Sequence, residues 1–221
     1  MVLHNNIVEQ IKRSPIVRRF RPLLRAVYDG GDAIISKILQ LRTPYTISRY
    51  NKLHLGCGPR HIPEWANIDI VGRGNIIWDL RKKLPVKPGS IRFIYTEHFI
   101  EHIRRPEALL LLKNCKEVLA EDGVLRISTP NLGRLVKDYL SERIQNMEHA
   151  GWRAATPCAM VNEGMRLWGH RFLYDEAELT LLLAEAGFKS VKRVQWGESK
   201  HPELRGLETR PDFDDVIVKA M

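Results

Sequence analysis

Cysteine is too scarce and too scattered in this chain to hold it together. Three occur in 221 residues, Cys57, Cys115 and Cys158, an odd number with no Cys-x-x-Cys spacing. Neither a disulfide framework nor a zinc knuckle is expected, and a reducing, cytoplasmic setting is. No stretch approaches the roughly 18 consecutive apolar residues that span a bilayer, and the N-terminus has no compact apolar core of a signal peptide. The protein is therefore expected to be soluble and unprocessed. Internal repeats and low-complexity tracts are missing too, which excludes solenoid and fibrous classes. Acid is sparse at one end: residues 1 to 50 hold nine Lys or Arg against Glu9, Asp29 and Asp32, a surplus of six within a net charge of +9.

That basic segment reads as a helical N-terminal extension over residues 1–50, ahead of a single main domain over 51–221. Ile7 and Ile11, Leu23 and Val27, and Ile34 and Ile38 stand at helical spacing, punctuated by Pro15, Pro22 and the pair Gly30 and Gly31. Packing on the main domain or on a second copy of the chain is expected of it, with Arg18, Arg19, Arg21 and Arg25 solvated. Contact with nucleic acid or an anionic membrane is the competing reading. A transit peptide would also be Arg-rich, but the two prolines break a continuous amphipathic helix.

From Asn51 the pattern turns to strands alternating with helices. Strands are expected at Lys52–Leu55, Ala66–Ile70, Asn75–Trp78, Ile91–Thr96, Gly123–Thr129, Val191–Trp196 and Phe213–Lys219, with helices at Pro106–Ala120, Arg134–Gln145 and Asp175–Ala186. Such alternation argues for an α/β fold, a mostly parallel sheet with helices on both faces. Asp175 as N-cap, Glu178 three residues on and Gly187 at the end frame the third helix.

The first strand breaks into Gly56, Cys57 and Gly58, and the next two strands end on the acids Asp69 and Asp79. Glycines at a strand end let backbone approach a ligand, and an acid on the neighbouring strand can hold ribose hydroxyls. Together they mark a nucleoside site, with Asp79 placed for an adenine edge. Gly58 and Asp69 are only eleven residues apart, against about 20 in dinucleotide folds. A truncated first helix is expected, and a nicotinamide dehydrogenase is disfavoured.

With LGCGP at 55 to 59, EWANID at 64 to 69, DLRKKLP at 79 to 85, IYTEHFIEHI at 94 to 103, EVLAEDGVLRISTPN at 117 to 131 and LYDEAELTLLLAEAGF at 173 to 188, the chain resembles the class I S-adenosylmethionine-dependent methyltransferases. It is most similar to the small group whose first motif reads LGCG before W, N and D. The resemblance implies a Rossmann-like, seven-stranded sheet with the last strand antiparallel, and S-adenosylmethionine as cofactor. It places Leu55, Gly56, Cys57 and Gly58 against the cofactor backbone, Asp69 and Ile70 at the ribose, Asp79 and Leu80 at the adenine, and Thr96 and Glu97 near the methionine end. Two positions depart from the family motif: His54 stands where an acid is usual, and Arg60 where a third glycine is usual.

HFIEH at 98 to 102 is expected to set His98 and His102 on one face of a helix, one turn apart. The same letters form the inverted HxxEH zinc motif of some metalloproteases, a minor alternative with Glu101 as base, for which His170 or Glu163 would have to supply a third ligand. No metal is expected. A methyl acceptor with a hydroxyl needs alignment and a base, and His98, His102 and His170 are the base candidates, with Glu101 orienting one of them. His170, Arg171 and Tyr174 follow a long irregular stretch of the kind that forms lids, and either line an acceptor pocket or make a purely structural turn. The fourth strand ends in TEH rather than an Asn-Pro-Pro-Tyr type of sequence, which favours oxygen over nitrogen as acceptor. The resemblance to the narrower group, associated with glycan and small-metabolite modification, implies a small hydroxylated acceptor such as a sugar as the partner. The competing class is a non-catalytic protein of the same fold, tethered through its basic N-terminus.

Overall fold

Side chains alternate along each strand and so define two faces of one seven-stranded sheet. In the computed structural model described here the placed residues are 46–70, 76–144, 146–147, 152–210 and 216–221. The helices expected between 5 and 42, Asn75 and Phe213 lie outside the described residues. Strands β1 (Lys52–Leu55), β2 (Ala66–Asp69), β3 (Ile76–Ile77), β4 (Ile91–Glu97), β5 (Leu119–Thr129), β8 (Val191–Arg193) and β9 (Val216–Ala220) form the sheet. Its order is β3-β2-β1-β4-β5-β9-β8. The first five strands run parallel, and β9 enters between β5 and β8 antiparallel to both. A small hairpin, β6 (Asn146–Met147) and β7 (Trp152–Arg153), stands apart from the sheet.

Helices α1 (Arg105–Val118) and α4 (Glu176–Glu185) cover one face. Ala108, Leu111, Leu112, Cys115 and Val118 of α1 recur at helical spacing and join Leu179, Leu182 and Leu183 of α4 over Leu53, Leu55, Ile94, Leu125 and Ile127. Arg105 ties the two helices together, with Nε at 2.6 Å from Glu178 and Nη2 at 2.9 Å from Glu185. Asp175 caps α4 as expected, accepting from Glu178 N at 2.8 Å. The Glu178 carboxylate, however, goes to Arg105 rather than back to the cap.

On the opposite face Phe93, Tyr95 and Val124 alternate with the residues above, and pack against Ile62, Trp65, Leu204 and Leu207. Among the described residues this face is covered by the crossover 56–65 and the loop 194–210. Between β1 and β2 the chain forms turns and no helix, which goes beyond the truncation expected. Asn67 replaces the helix as an organiser: its side chain accepts from Ile62 N at 2.8 Å and donates to the carbonyls of Ile62 and Trp65, both at 3.0 Å. The long loop is held by Arg126, which is buried in β5, pairs with Glu208 and donates to the carbonyls of Glu198 and Gln195.

Several element boundaries differ from those expected. Helix α1 stops at Val118 because Leu119 already pairs with Ile91 of β4. The helix expected at 134–145 is α2 (Leu132–Leu140), started by Asn131, whose side chain accepts from Arg134 N. Strand β8 ends at Arg193, where the chain turns towards the Arg126 clamp. Helix α3 (Pro157–Arg166) lies in the stretch expected to be irregular and packs with α2 and the hairpin around Leu135, Trp152 and Met160.

Candidate active site

Strand order reverses at β1, whose neighbours are β2 and β4, so a crevice opens beyond the carboxyl ends of these strands. The structure has there a cleft of about 540 Å³, lined among others by Asp69, Ile70, Trp78, Asp79, Leu80 and Phe99, a size suited to a nucleoside-bearing cofactor. Leu55 is buried at the end of β1, and Gly56 and Gly58 follow with φ of 64° and 53°, the left-handed region that favours glycine. Gly58 N donates to Asp69 Oδ2 at 2.9 Å. One hydrogen bond thus fixes the glycine turn against the carboxylate expected at the ribose. Ile70 is 51% exposed and, with Leu80, gives the cleft wall apolar surface.

Asp79 is oriented by its near neighbour. Arg81 grips it in a bidentate pair, Nε to Oδ1 and Nη2 to Oδ2, both 2.9 Å, and the Arg81 backbone N–H adds a third bond at 3.0 Å. The guanidinium holds the Asp79 carboxyl below its ordinary range. Cys57 takes no visible part through its side chain: the thiol is buried, burial pushes it up to about 11, and its backbone N–H bonds Ile68 O. It is an inert thiol.

The two departures from the family motif have structural employment. His54 Nδ1 donates to Asn67 Oδ1 at 3.1 Å, and burial lowers the imidazole to about 4, so it is neutral. It supports the crossover. Arg60 lies over the Tyr95 ring, bonds the Leu207 carbonyl and reaches Glu97 Oε2 at 3.3 Å. Glu97 also accepts from Thr209 N at 2.6 Å and Thr209 Oγ1 at 2.8 Å. The carboxylate expected near the methionine end is therefore turned to Arg60 and Thr209, behind the cleft. Thr96 is buried, and its hydroxyl has no hydrogen-bond partner among the described residues.

The HFIEH run does not form the α-helix its spacing suggests. His98 takes φ 48° at the end of β4, pinned by its N–H to Ser128 O at 2.9 Å, and only Ile100–His102 makes a short 3₁₀ turn. Both imidazoles still face one carboxylate: Glu101 Oε1 is 3.7 Å from His98 Nδ1 and 3.9 Å from His102 Nε2. Thr129 donates to the other oxygen at 3.0 Å. His170 joins them, its ring 5.0 Å from that of His102. Its position comes from backbone bonding, since Glu101 O accepts from Arg171 N at 2.7 Å and Phe172 N at 3.2 Å. Burial lowers His102 to about 4, helped by His170, His98 and Arg210, while a hydrogen bond to the Gly169 backbone opposes it; burial lowers His170 as well. His102 and Arg171 line the cleft.

Tyr174 and Glu163 lie elsewhere than at this cluster. Tyr174 is buried in the main core rather than lining a pocket, because its backbone pairs with Asn131 and Leu132 and draws the ring inward. Glu163 accepts from the Trp152 indole and is not among the residues gathered around Glu101. Other functional residues escape pattern reading. Phe99 lies against Gly56, where a Cβ would meet its ring at 2.3 Å, and Trp78 presents a buried indole N–H with no hydrogen-bond partner among the described residues. An aromatic one or two residues after a strand end is their common sequence signal.

A seven-stranded sheet with this order, a glycine turn bonded to the acid of β2 and a cleft at the switch point define a Rossmann-like nucleoside-cofactor enzyme. The methyltransferase-domain family matches residues 34–193, and the chain belongs to it; it is an S-adenosylmethionine-dependent methyltransferase. Among solved structures it is similar to an S-adenosylmethionine-dependent methyltransferase from Archaeoglobus fulgidus, 16% identical, covering 91% of this chain and 99% of that one at a TM-score of 0.48. It is also similar to a proposed methyltransferase in complex with the Trm112 methyltransferase activator from Haloferax volcanii, 10% identical, covering 89% and 96% at a TM-score of 0.50. At that identity the likeness is one of fold. No curated protein matches the chain.

Proposed function

We propose that the enzyme methylates a hydroxyl of a small acceptor, a sugar or glycan precursor being the preferred class. The observation that carries this reading is the cluster of His98, His102 and His170 around Glu101 at the end of the cofactor cleft. Transfer to oxygen needs a proton removed as the carbon–oxygen bond forms, and imidazole is the side chain suited to take it. The hydroxyl proton passes to an imidazole, with His98 the first candidate, and then to water. The oxygen pair bonds the methyl carbon, and the carbon–sulfur pair returns to sulfur as neutral thioether. Asp69 holds the ribose, Ile70 and Leu80 flank the adenine, and Asp79 accepts from its amine. Arg171 on the cleft wall recognises an oxygen-rich acceptor.

The test is formation of S-adenosylhomocysteine with matched panels of polyols, monosaccharides and amines. Turnover with hydroxyl acceptors and none with amines is expected; the reverse preference refutes the reading. Titration calorimetry examines the cofactor half separately. Asp69→Asn is expected to weaken S-adenosylmethionine at least about tenfold, the scale of a lost hydrogen bond to a charged group.

A further inference from the structure

We propose that Glu101, His102 and His170 form a binding site for one divalent first-row transition cation of the zinc class, opening on the cleft at the acceptor position. Their ligand atoms lie within 4.8 Å of one another. Two imidazole nitrogens and one carboxylate oxygen are the donor set of catalytic zinc and non-haem iron sites, which keep a position open for water or substrate. Magnesium and calcium prefer all-oxygen shells.

The tautomers suit the task. His170 Nδ1 lies 2.9 Å from the Gly164 carbonyl. A carbonyl only accepts, so the proton sits on Nδ1 and Nε2 carries the lone pair. This is the second-shell arrangement that orients metal-bound histidines. The Nδ1 edge of His102 lies against Gly169, and its Nε2 faces Glu101. Glu101 is held in the same way, with Thr129 donating to Oε2 at 3.0 Å while Oε1 faces the imidazoles. The 3.9 Å between His102 Nε2 and Glu101 Oε1 is too long for a hydrogen bond. It closes by about half an ångström to reach roughly 3.3 Å, the edge of a tetrahedron with bonds of about 2.0 Å.

A bound cation would lower the acceptor hydroxyl's own pKa. That consequence rests on the hydroxyl-acceptor reading above; the site itself does not.

The test is direct binding of Co²⁺ and Zn²⁺ to the untagged full-length chain, read by the visible absorbance of bound Co²⁺ and by calorimetry. One equivalent is expected, with Zn²⁺ displacing Co²⁺. Affinity should fall at least about 100-fold in His102→Gln and His170→Gln, and remain in His201→Ala, whose ring packs on Phe93 away from the cluster. Thermal unfolding confirms that each variant folds. Absence of binding at millimolar Co²⁺ and Zn²⁺ overturns the proposal, and so does binding that survives both glutamine variants. Binding at this site without methylation of any hydroxyl upholds the site and refutes the acceptor reading. Hydroxyl methylation undiminished by chelator treatment that leaves no bound metal upholds the acceptor reading and refutes the cation's action on the acceptor hydroxyl.

Discussion

Gly56 and Gly58 share a left-handed backbone, with φ of 64° and 53°, yet their surroundings differ in a way that separates two energies. A Cβ at Gly58 would meet nothing within 4 Å, whereas one at Gly56 would lie 2.3 Å from the Phe99 ring and 2.6 Å from its Cβ. Gly58→Ala should therefore lose only the backbone preference, about 1–2 kcal/mol. Gly56→Ala should lose the same amount plus an overpacking penalty of about 1–3 kcal/mol, because the nearest atoms include the Phe99 Cβ, which cannot swing away by ring rotation. Urea unfolding of Gly56→Ala, Gly58→Ala, Phe99→Ala and both double variants gives the two couplings. With Phe99 cut back to alanine the ring atoms at 2.3 Å go while the Cβ at 2.6 Å stays, so the cost of Gly56→Ala should shrink by about 1 kcal/mol, part of the overpacking penalty, while that of Gly58→Ala stays unchanged to within about 0.5 kcal/mol. Equal costs for the two glycines, or no coupling between Gly56 and Phe99, would refute the packing assigned to this turn.

Further consequences concern groups away from the cleft. Arg126→Met leaves Glu208 as a buried charge without its ion-pair partner and should destabilise the fold by about 3–5 kcal/mol in urea, with much of it recovered when Glu208→Leu is added. His54 contributes stability that is complete above its unfolded value near 6.5 and lost as pH falls towards its folded value of about 4. The stability advantage of the wild type over His54→Gln should thus shrink by up to about 3 kcal/mol between pH 7 and 4; a constant difference would refute the burial argument. Thr209→Val removes the hydroxyl that donates to Glu97 at 2.8 Å. About 1 kcal/mol of stability should go with it, and S-adenosylmethionine affinity should change less than twofold in calorimetry, since that network lies behind the cleft.

Much of the sheet was legible because its strands are short runs of Leu, Ile and Val bounded by turn residues, and because Asp175 and Gly187 punctuate α4. What covers the second face was not. The crossover 56–65 and the loop 194–210 have no period, and their organisers, Asn67 and Arg126, are polar residues inside strands. Pattern reading assigns such residues to solvent. The resemblance implied seven strands with the last antiparallel, but periodicity does not say that β9 enters between β5 and β8.

The site was half legible for a related reason. HFIEH announces a pair of histidines flanking an acid whether the chain turns as an α-helix or, as here, through a left-handed His98 and a single 3₁₀ turn. Residue spacing alone does not distinguish them. The consequence of the actual turn is that consecutive residues face different parts of the molecule. Glu97 is bonded to Arg60 and Thr209 behind the cleft, Phe99 lies on Gly56, and Glu101 holds the 170–172 segment through its backbone carbonyl while its carboxylate faces His98 and His102. A regular helix would repeat its directions every 3.6 residues and could not direct these neighbours so differently. The positive φ at His98 is the local strain that permits it, and such strain persists where surrounding contacts fix it. The bond from His98 N to Ser128 O and the Thr129 contact to Glu101, both from β5, are those contacts.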